Sequence, residues 1–344
     1  AGQPAPRVMV LEKGRHVGAH ALSGAVLDPA PLDELLTAEQ RARMPLLCHV
    51  ARERFYRLTK RHALPIPFVP PAMHAKGLPI ISLSAFTKFL DELCEEAGAE
   101  IYTEMTASEL LEENGRVVGV RIGDKGIDKD GSHKPSFELG PDVRARAVVL
   151  GEGACGVLTE RLIAAHGLAA HAEPQAYAIG IKEIIETAPR DDRAGTIMHT
   201  FGFPLDWRTY GGGFIYGLSP TQVALGLVTG LDYRDARLNP HDLFREFKRH
   251  PLVQRHIAGG RVIGYGAKVL PEGGLHAMPE LVADGALIVG DGAGMLDSVR
   301  LKGIHLALQA GMAAGDTLCD AIQRDDFSRA ALAGYADAFH TMDA

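Results

Sequence analysis

Three short apolar runs, each ending in a glycine-bounded turn, constrain this chain more than any other feature. Arg7-Val-Met-Val-Leu-Glu12 runs to Gly14, Ala145-Arg-Ala-Val-Val-Leu150 runs into Gly151-Glu-Gly-Ala-Cys-Gly156, and Gly285-Ala-Leu-Ile-Val runs into Gly290-Asp-Gly-Ala-Gly294. Uncharged runs of this length between turn residues read as strands buried on both faces, which occur in parallel sheets covered by helices. A helix follows the second turn, from Leu158 to His166, and a long one is expected from Gly303 to Gln323. Strand, glycine turn and helix together form a site where backbone N–H groups meet phosphate. A single such turn is commonly an ordinary tight turn; three in one chain, with carboxylates at Glu12 and Asp291, point to one extended ligand.

An acidic residue closing a strand, like Glu12, accepts hydrogen bonds from an adenosine ribose. Asp291, before a helix opening on glycine, is placed for a ribityl or ribose hydroxyl, and Gly151-Glu152-Gly153 would pack beside the same ligand. FAD is long enough to need all three turns. Glycine is also abundant, 39 of 344 residues, about 11% against a usual ~7%.

Between the α/β segments the texture changes. From Ala172 to about Ile263, strands such as Tyr177 to Lys182, Gly213 to Tyr216 and Val223 to Thr229 alternate with Pro and Gly, as in an inserted antiparallel sheet. His241 to His250 reads as a helix with Leu243, Phe244 and Phe247 inward. Ser82 to Gly98 is another, with Phe86, Leu90, Leu93 and Ala97 on one face and Gly98 as C-cap. Strands are expected over 99–105 and 116–123, and a loop or hairpin over 124–140. The fold class is therefore α/β with an α+β insert. Its divisions would be 1–62, 82–171 and 271–344 for the cofactor-binding part, 63–81 for an apolar loop, and 172–270 for the antiparallel sheet.

Other function classes receive little support. Lys and Arg number 36 against 43 Asp and Glu, a formal charge of −7 with no basic tract, which argues against nucleic acid as a partner. Hydrophobic residues make up 46% of the chain, enough to fill a large core. No run of 18 apolar residues suggests a transmembrane helix. Cys48, Cys94, Cys155 and Cys319 form no C-x-x-C pair, fit a reducing compartment, and on helical or turn segments read as small packing residues. No metal-ligand spacing involves the histidines, and Ser23 lacks a nucleophile elbow. The first residues, Ala1 to Arg7, lack a Met and a signal-like apolar run and read as the cut end of a longer chain.

Longer strings narrow the reading. Gly18-Ala-His-Ala-Leu-Ser-Gly24 with Leu27-Asp-Pro29, Gly126-Ile-Asp-Lys-Asp-Gly131, and Glu173-Pro-Gln-Ala-Tyr-Ala-Ile-Gly-Ile-Lys-Glu183 resemble the electron transfer flavoprotein-ubiquinone oxidoreductase family. Phe203-Pro-Leu-Asp-Trp-Arg-Thr-Tyr-Gly-Gly212, Gly226-Leu-Val-Thr-Gly-Leu-Asp-Tyr233 and Leu301-Lys-Gly-Ile-His305 extend the likeness, collinearly, over nearly the whole chain. The resemblance implies a glutathione-reductase-type, Rossmann-like FAD domain with an antiparallel quinone domain, and transfer of electrons from reduced electron transfer flavoprotein to ubiquinone. It implies FAD contacts at Glu12, Lys13, Gly18, Ser23, Gly24, Gly151, Glu152, Gly153, Gly290, Asp291, Gly303 and Ile304, and quinone contacts at Gly211 and Gly212. With the chemistry on FAD, no catalytic amino acid and no protein-bound metal are expected within these residues.

The same resemblance implies a first βα unit ahead of Ala1 and a four-cysteine [4Fe-4S] region beyond Phe339. Where the family carries Asn and Thr near the flavin ring, this chain has Asp297 and Ile304, keeping a backbone N–H but losing a hydroxyl. Tyr210-Gly-Gly-Gly-Phe214 reads alone as a strand bulge; the resemblance turns it into a quinone contact. Ala63-Leu-Pro-Ile-Pro-Phe-Val-Pro-Pro-Ala-Met73 has two readings, a buried polyproline-like loop over the core or a shallow membrane plateau. The implied setting is peripheral, on the cytoplasmic face of a bacterial inner membrane or the matrix face of the mitochondrial one. A geranylgeranyl-reductase-like or hydroxylase-like flavoenzyme, or a non-catalytic flavin-binding fragment, stand as alternatives.

Overall fold

The computed structural model describes residues 6–22 and 24–342, without the side chains of 340 and 342. The elements that position the site, in chain order, begin with strands β1 (Met9–Leu11), β2 (Arg52–Leu58) and β3 (Ala63–Ile66) and helix α1 (Leu83–Glu96). Then come β4 (Glu100–Tyr102), β5 (Val148–Leu150), α2 (Val157–His166), β6 (Tyr177–Glu186), β7 (Thr196–Gly202), β8 (Gly211–Gly217) and β9 (Gln222–Gly230). Helices α3 (Pro240–Arg249) and α4 (Pro251–Ile257), strands β10 (Arg261–Pro271) and β11 (Ala286–Ile288), and helix α5 (Ile304–Arg324) complete the set.

The α/β part contains two parallel pairings. β1 runs alongside β4, Leu11 opposite Tyr102, and β5 runs alongside β11, Leu150 opposite Ile288. Leu150, Leu158, Leu162, Leu287 and Ile288 are buried in one core with Ala310, Ala313, Ala314 and Ala321 of α5. Alanines at these spacings form a narrow buried stripe on the 21-residue helix, small enough for neighbouring elements to pack closely against it. α1 starts at Ser82, whose hydroxyl accepts the Ala85 N–H at 3.4 Å, and ends before Gly98 at φ 89°. It buries Phe86 and Phe89, while Ala97, expected on the inner face, is exposed at the cap.

The second unit is a seven-stranded sheet of order β10-β6-β9-β8-β7-β2-β3. All neighbours are antiparallel except β7 and β2. One face carries Met198, Ile215, Val223, Leu225 and Leu227 against Phe244 and Phe247 of α3 and Val253 of α4. The other carries Ile184, Ile197 and Ala224 against Val50, Ile80 and Leu218. Period-two alternation along each strand separates the two cores.

Four expectations change. The sheet begins earlier than residue 172, because β2 and β3 join its edge. Ala63–Ile66 is thus a strand and not a polyproline loop; its proline sits on the outermost strand, where a missing N–H leaves no ladder bond broken. The Gly211–Gly213 run is no bulge, since pairing with β9 is continuous from Gly211 opposite Thr229 to Gly217 opposite Val223. Cys94, Cys155 and Cys319 are exposed, so they do not serve as buried packing residues. Among the described residues, no helix is long and apolar enough to cross a membrane.

Candidate functional site

The C-terminal ends of the parallel strands carry the candidate residues, which together border a candidate cleft. Glu12 follows β1 and is pinned by its backbone: its N–H donates to the Tyr102 carbonyl at 2.9 Å and its carbonyl accepts the Met105 N–H at 3.0 Å. Its carboxylate accepts the Gly14 N–H at 2.5 Å, and a Cβ on Gly14 would stand 2.9 Å from that oxygen. Parallel registry of β5 and β11 sends Gly151 and Gly290 out of the same edge of the sheet. Their turns touch, for a Cβ on Gly292 would lie 3.5 Å from the Gly153 carbonyl.

Asp291 lies in a 3-10 turn between Gly290 at φ 63° and Gly294 at φ 81°, a shape L-residues resist. Burial raises its carboxyl pKa, opposed by Lys268. Gly303, the N-cap of α5, has no side chain to cap the helix, and its absent Cβ would be 3.7 Å from Asp291 Oδ1. The N-terminal end of a long helix, without a side-chain cap from Gly303, thus lies beside the half-buried Asp291 carboxylate, where the helix dipole favours an oxygen acceptor. The structure thus gathers Gly290, Asp291, Gly303 and Ile304, with Gly151 and Gly153 adjoining.

Other expected contacts have work within the protein. The Glu152 carboxylate accepts the Thr159 N–H at 2.7 Å and its hydroxyl at 2.9 Å, capping α2 as a bound anion would. Gly18 packs on α1, where a Cβ would collide with the Ser84 carbonyl at 2.8 Å and the Thr87 hydroxyl. Gly24 packs on the sheet, 2.6 Å from Ala224 Cβ if given a side chain. Lys13 is exposed, and Ser23 lies outside the described residues. The Ile304 side chain packs with the cluster of Leu27, Leu32 and Phe86, so an apolar residue satisfies its surroundings. Asp297 accepts the N–H groups of Val299 and Arg300 at 2.9 and 2.8 Å and is committed to its own loop.

The sheet face toward this cleft carries polar groups that the strand patterns concealed. Lys182 of β6 donates to the Gly24 carbonyl at 3.0 Å and lies over the Phe214 ring at 5.4 Å; burial brings its pKa down to about 8. His199 Nε2 is 2.7 Å from the Tyr216 hydroxyl across the β7–β8 pair. Burial, helped by nearby Lys302 and opposed by Glu53, lowers the His199 pKa to about 4, so the ring is neutral. Burial also raises the Tyr216 pKa. Lys302 directly precedes Gly303, which ties this face to the start of α5. The available signal was one polar residue on the apolar side of each strand, Lys182 among isoleucines and His199 after Met198.

Gly211 and Gly212 open β8. A Cβ on Gly212 would lie 2.5 Å from the Thr200 carbonyl, and one on Gly211 would collide with the Val228 carbonyl. Their neighbour Tyr210 donates to Glu272 at 3.2 Å, and the Glu272 carbonyl accepts the Ser298 hydroxyl at 3.2 Å. That chain of bonds joins the start of β8 to the loop leading into α5.

Known proteins match this arrangement at two levels. Residues 177–270, which span β6 to β10, match the family described as ETF-QO, ubiquinone-binding. The electron transfer flavoprotein-ubiquinone oxidoreductase of Oryza sativa subsp. japonica, a mitochondrial protein, is 42% identical over 314 residues, covering 90% of this chain and 54% of its own. The protein of the same name from Pseudomonas aeruginosa is 38% identical over 337 residues, covering 96% of this chain and 61% of its own. The chain therefore spans about half to three fifths of the length of these relatives. Among solved structures, a geranylgeranyl bacteriochlorophyll reductase-like protein from Thermoplasma acidophilum superposes with a TM-score of 0.73 at 17% identity, over 98% of this chain and 77% of that one. A flavin-dependent brominase gives 0.64 at 17% identity, over 97% and 77%. These two share the fold. Identity is sustained along nine tenths of its residues, and the quinone-domain match is seated on the inserted sheet; over these residues the chain is similar to the electron transfer flavoprotein-ubiquinone oxidoreductases.

Proposed function

We propose that the cleft binds FAD and that the protein takes part in passing electrons from reduced electron transfer flavoprotein to ubiquinone. The start of α5 beside Asp291 carries the reading, because it brings a helix N-terminus that Gly303 gives no side-chain cap and a carboxylate to one place. The Gly290–Gly294 cradle, which a Cβ at 290 or 294 would strain, fits a dinucleotide lying close to the backbone. When bound, the flavin would supply the redox chemistry, accepting and releasing one or two electrons.

In this reading Glu12 holds the adenosine ribose, Asp291 orients a hydroxyl of the ribityl or pyrophosphate end, and the Ile304 N–H faces the ring. Gly151 and Gly153 flank the same ligand, whereas Glu152 shapes the turn by capping α2. Gly211 and Gly212 present backbone to the quinone head group, and the Lys182, His199 and Tyr216 face lines the space between the two sites. Neutral His199 and the Tyr216 hydroxyl form a short donor-acceptor pair there, with Lys302 near the ring and Lys182 on the same face. The exposed side chains of Leu64, Phe68 and Trp207 would rest on a membrane leaflet and lead quinone inward.

Flavin titration tests the cofactor site. Asp291→Ala and Glu12→Ala should each weaken FAD binding about tenfold, the loss of one charge-assisted bond. Unchanged affinity in both would refute the assignment. Oxidation of the reduced protein by a short-chain quinone, and not reduction of it by NAD(P)H, separates this function from that of reductases and hydroxylases sharing the fold.

A further inference from the structure

On the face of the seven-stranded sheet opposite the flavin cleft, an arginine-rich cavity of about 400 Å³ lies between β2, the 190–193 loop and α4. Five guanidinium groups line it, those of Arg52, Arg54, Arg190, Arg193 and Arg255, with Asp192 the one carboxylate among the lining residues. Its floor is apolar, formed by Met198, Ile215, Val223 and Leu252 of the sheet-helix core. We propose that this cavity binds a phosphate-type dianion carried on a short apolar body.

Strand periodicity builds the cluster: Arg52, Arg54 and Tyr56 alternate along β2 and share the face on which Leu58 enters the core. Some of the charge has structural work. Arg190 grips Asp192 at 3.0 Å and donates to the Arg255 carbonyl at 2.9 Å. Arg52 donates to the Asp192 carbonyl at 2.5 Å and the Thr196 hydroxyl at 3.1 Å.

Two observations exceed that work. Arg193 is 5% exposed and donates to the carbonyls of Ala188 and Pro220 at 3.1 and 2.6 Å, yet its Nε has no partner among the described residues. A buried guanidinium held only by neutral carbonyls keeps its positive charge at the cavity wall, where an anion is favoured electrostatically. Arg54 reaches only the Tyr56 hydroxyl, at 3.4 Å, and no hydrogen bond from the Arg255 guanidinium is formed among the described residues. Their forks are left for a ligand.

One carboxylate among five guanidiniums leaves an excess of four positive charges, suited to a dianion more than to a monocarboxylate. Guanidinium forks match tetrahedral phosphate oxygens bidentately. The volume lies at the small end of the range of ligand sites, about 300 to 1,000 Å³, and the apolar floor accommodates a short alkyl or ring group. His256 also lines the cavity; burial, with Arg190 and Arg193 next, lowers its pKa to about 4, so the empty cavity holds a neutral imidazole able to donate to an oxygen.

Calorimetric titration of the full chain with hexyl phosphate and inorganic phosphate, against chloride at equal ionic strength, tests the site. Hexyl phosphate should bind, and bind more tightly than inorganic phosphate; equal affinities would overturn the apolar-body assignment. The double variant Arg54→Gln/Arg255→Gln leaves the loop-holding arginines intact and should weaken binding about tenfold or more. Arg193→Lys, which keeps the charge but removes the fork, should also weaken it. Binding unchanged in both variants, or no heat and no thermal shift beyond chloride, would overturn the proposal. Vesicles with phosphatidic acid serve as the other arm. Capture of vesicles with no binding of hexyl phosphate would show a surface headgroup contact and refute an enclosed site, whereas soluble binding alone supports it.

Discussion

His199 is neutral in the folded protein because it is buried against the Tyr216 hydroxyl with Lys302 nearby. An unfolded histidine titrates near 6.5, so between about pH 6.5 and pH 4 the unfolded chain binds the extra proton and stability falls as pH falls. Complete separation of the two pKa values corresponds to roughly 3 kcal/mol, an upper bound for a partly buried ring. Urea unfolding at pH 7.5, 6 and 5 should show this slope, and His199→Gln should flatten it in part; His250 and His256, whose pKa values burial lowers in the same direction, contribute to the remainder. Glycine at 213 raises a separate question of packing. A Cβ there would meet the Phe247 ring, with Cε2 at 2.7 Å, so Gly213→Ala should cost about 1 to 3 kcal/mol of stability without altering flavin affinity. Measured by denaturant midpoint and flavin titration, that split would separate core packing from ligand approach. The Gly211-Gly212-Gly213 string reads in sequence alone as a bulge and by the family resemblance as a close approach to quinone, whereas in the structure a Cβ at each would meet a neighbour inside the protein. Glu12 and Asp291 were legible because they end apolar strands. Lys182 and His199 were not, since nothing in one strand shows which face its polar residue will share with a cleft built by others.

At the level of elements, the strand-turn-helix units were readable from uncharged runs bounded by glycine, and α5 from its long small-residue stripe. The β2–β3 hairpin was hidden. Arg-Glu-Arg at the start of β2 lacks an apolar alternation, because one face lines the arginine cavity and the other holds Glu53, which accepts the Ala75 N–H at 2.6 Å. In β3, Pro65 masks a strand that survives because it is outermost. The consequence is a definite shape for the proposed membrane contact: an edge strand with Leu64 and, just beyond it, Phe68 exposed at 47% and 64%, beside the exposed basic tip Lys60-Arg61. Leu64→Asp/Phe68→Asp should reduce binding to vesicles containing anionic lipid, since each buried side chain contributes about 1.5 to 3 kcal/mol. Because both are already in water, the variant should retain the wild-type melting temperature. Flotation with unchanged partition would refute the lipid role and leave a plain sheet edge.

For the whole molecule, the question is which half of the electron path these residues can support. A [4Fe-4S] cluster needs four thiolates in close array. Cys94 and Cys319 sit exposed on α1 and α5, Cys155 lies exposed in the turn before α2, and Cys48 is partly buried with its thiol donating to the Leu218 carbonyl at 3.5 Å. Among the described residues no group of three or more His, Cys, Asp or Glu is disposed to hold a metal ion. In the proposed function the quinone half depends on other features, the residues at the start of α5 and the sheet reaching from Gly211 to Lys182. Chemically reduced, flavin-loaded protein should therefore be reoxidised by a short-chain ubiquinone, while reduced electron transfer flavoprotein should sustain little turnover with these 344 residues alone. Stopped-flow absorbance follows the first reaction and steady-state quinone reduction the second. Anaerobic treatment with iron and sulfide, read by EPR, decides between them: a stoichiometric [4Fe-4S] signal, or fast turnover with the protein donor, would mean that the four scattered thiols or the flavin cleft itself can accept from that donor, and the division into two halves would fail.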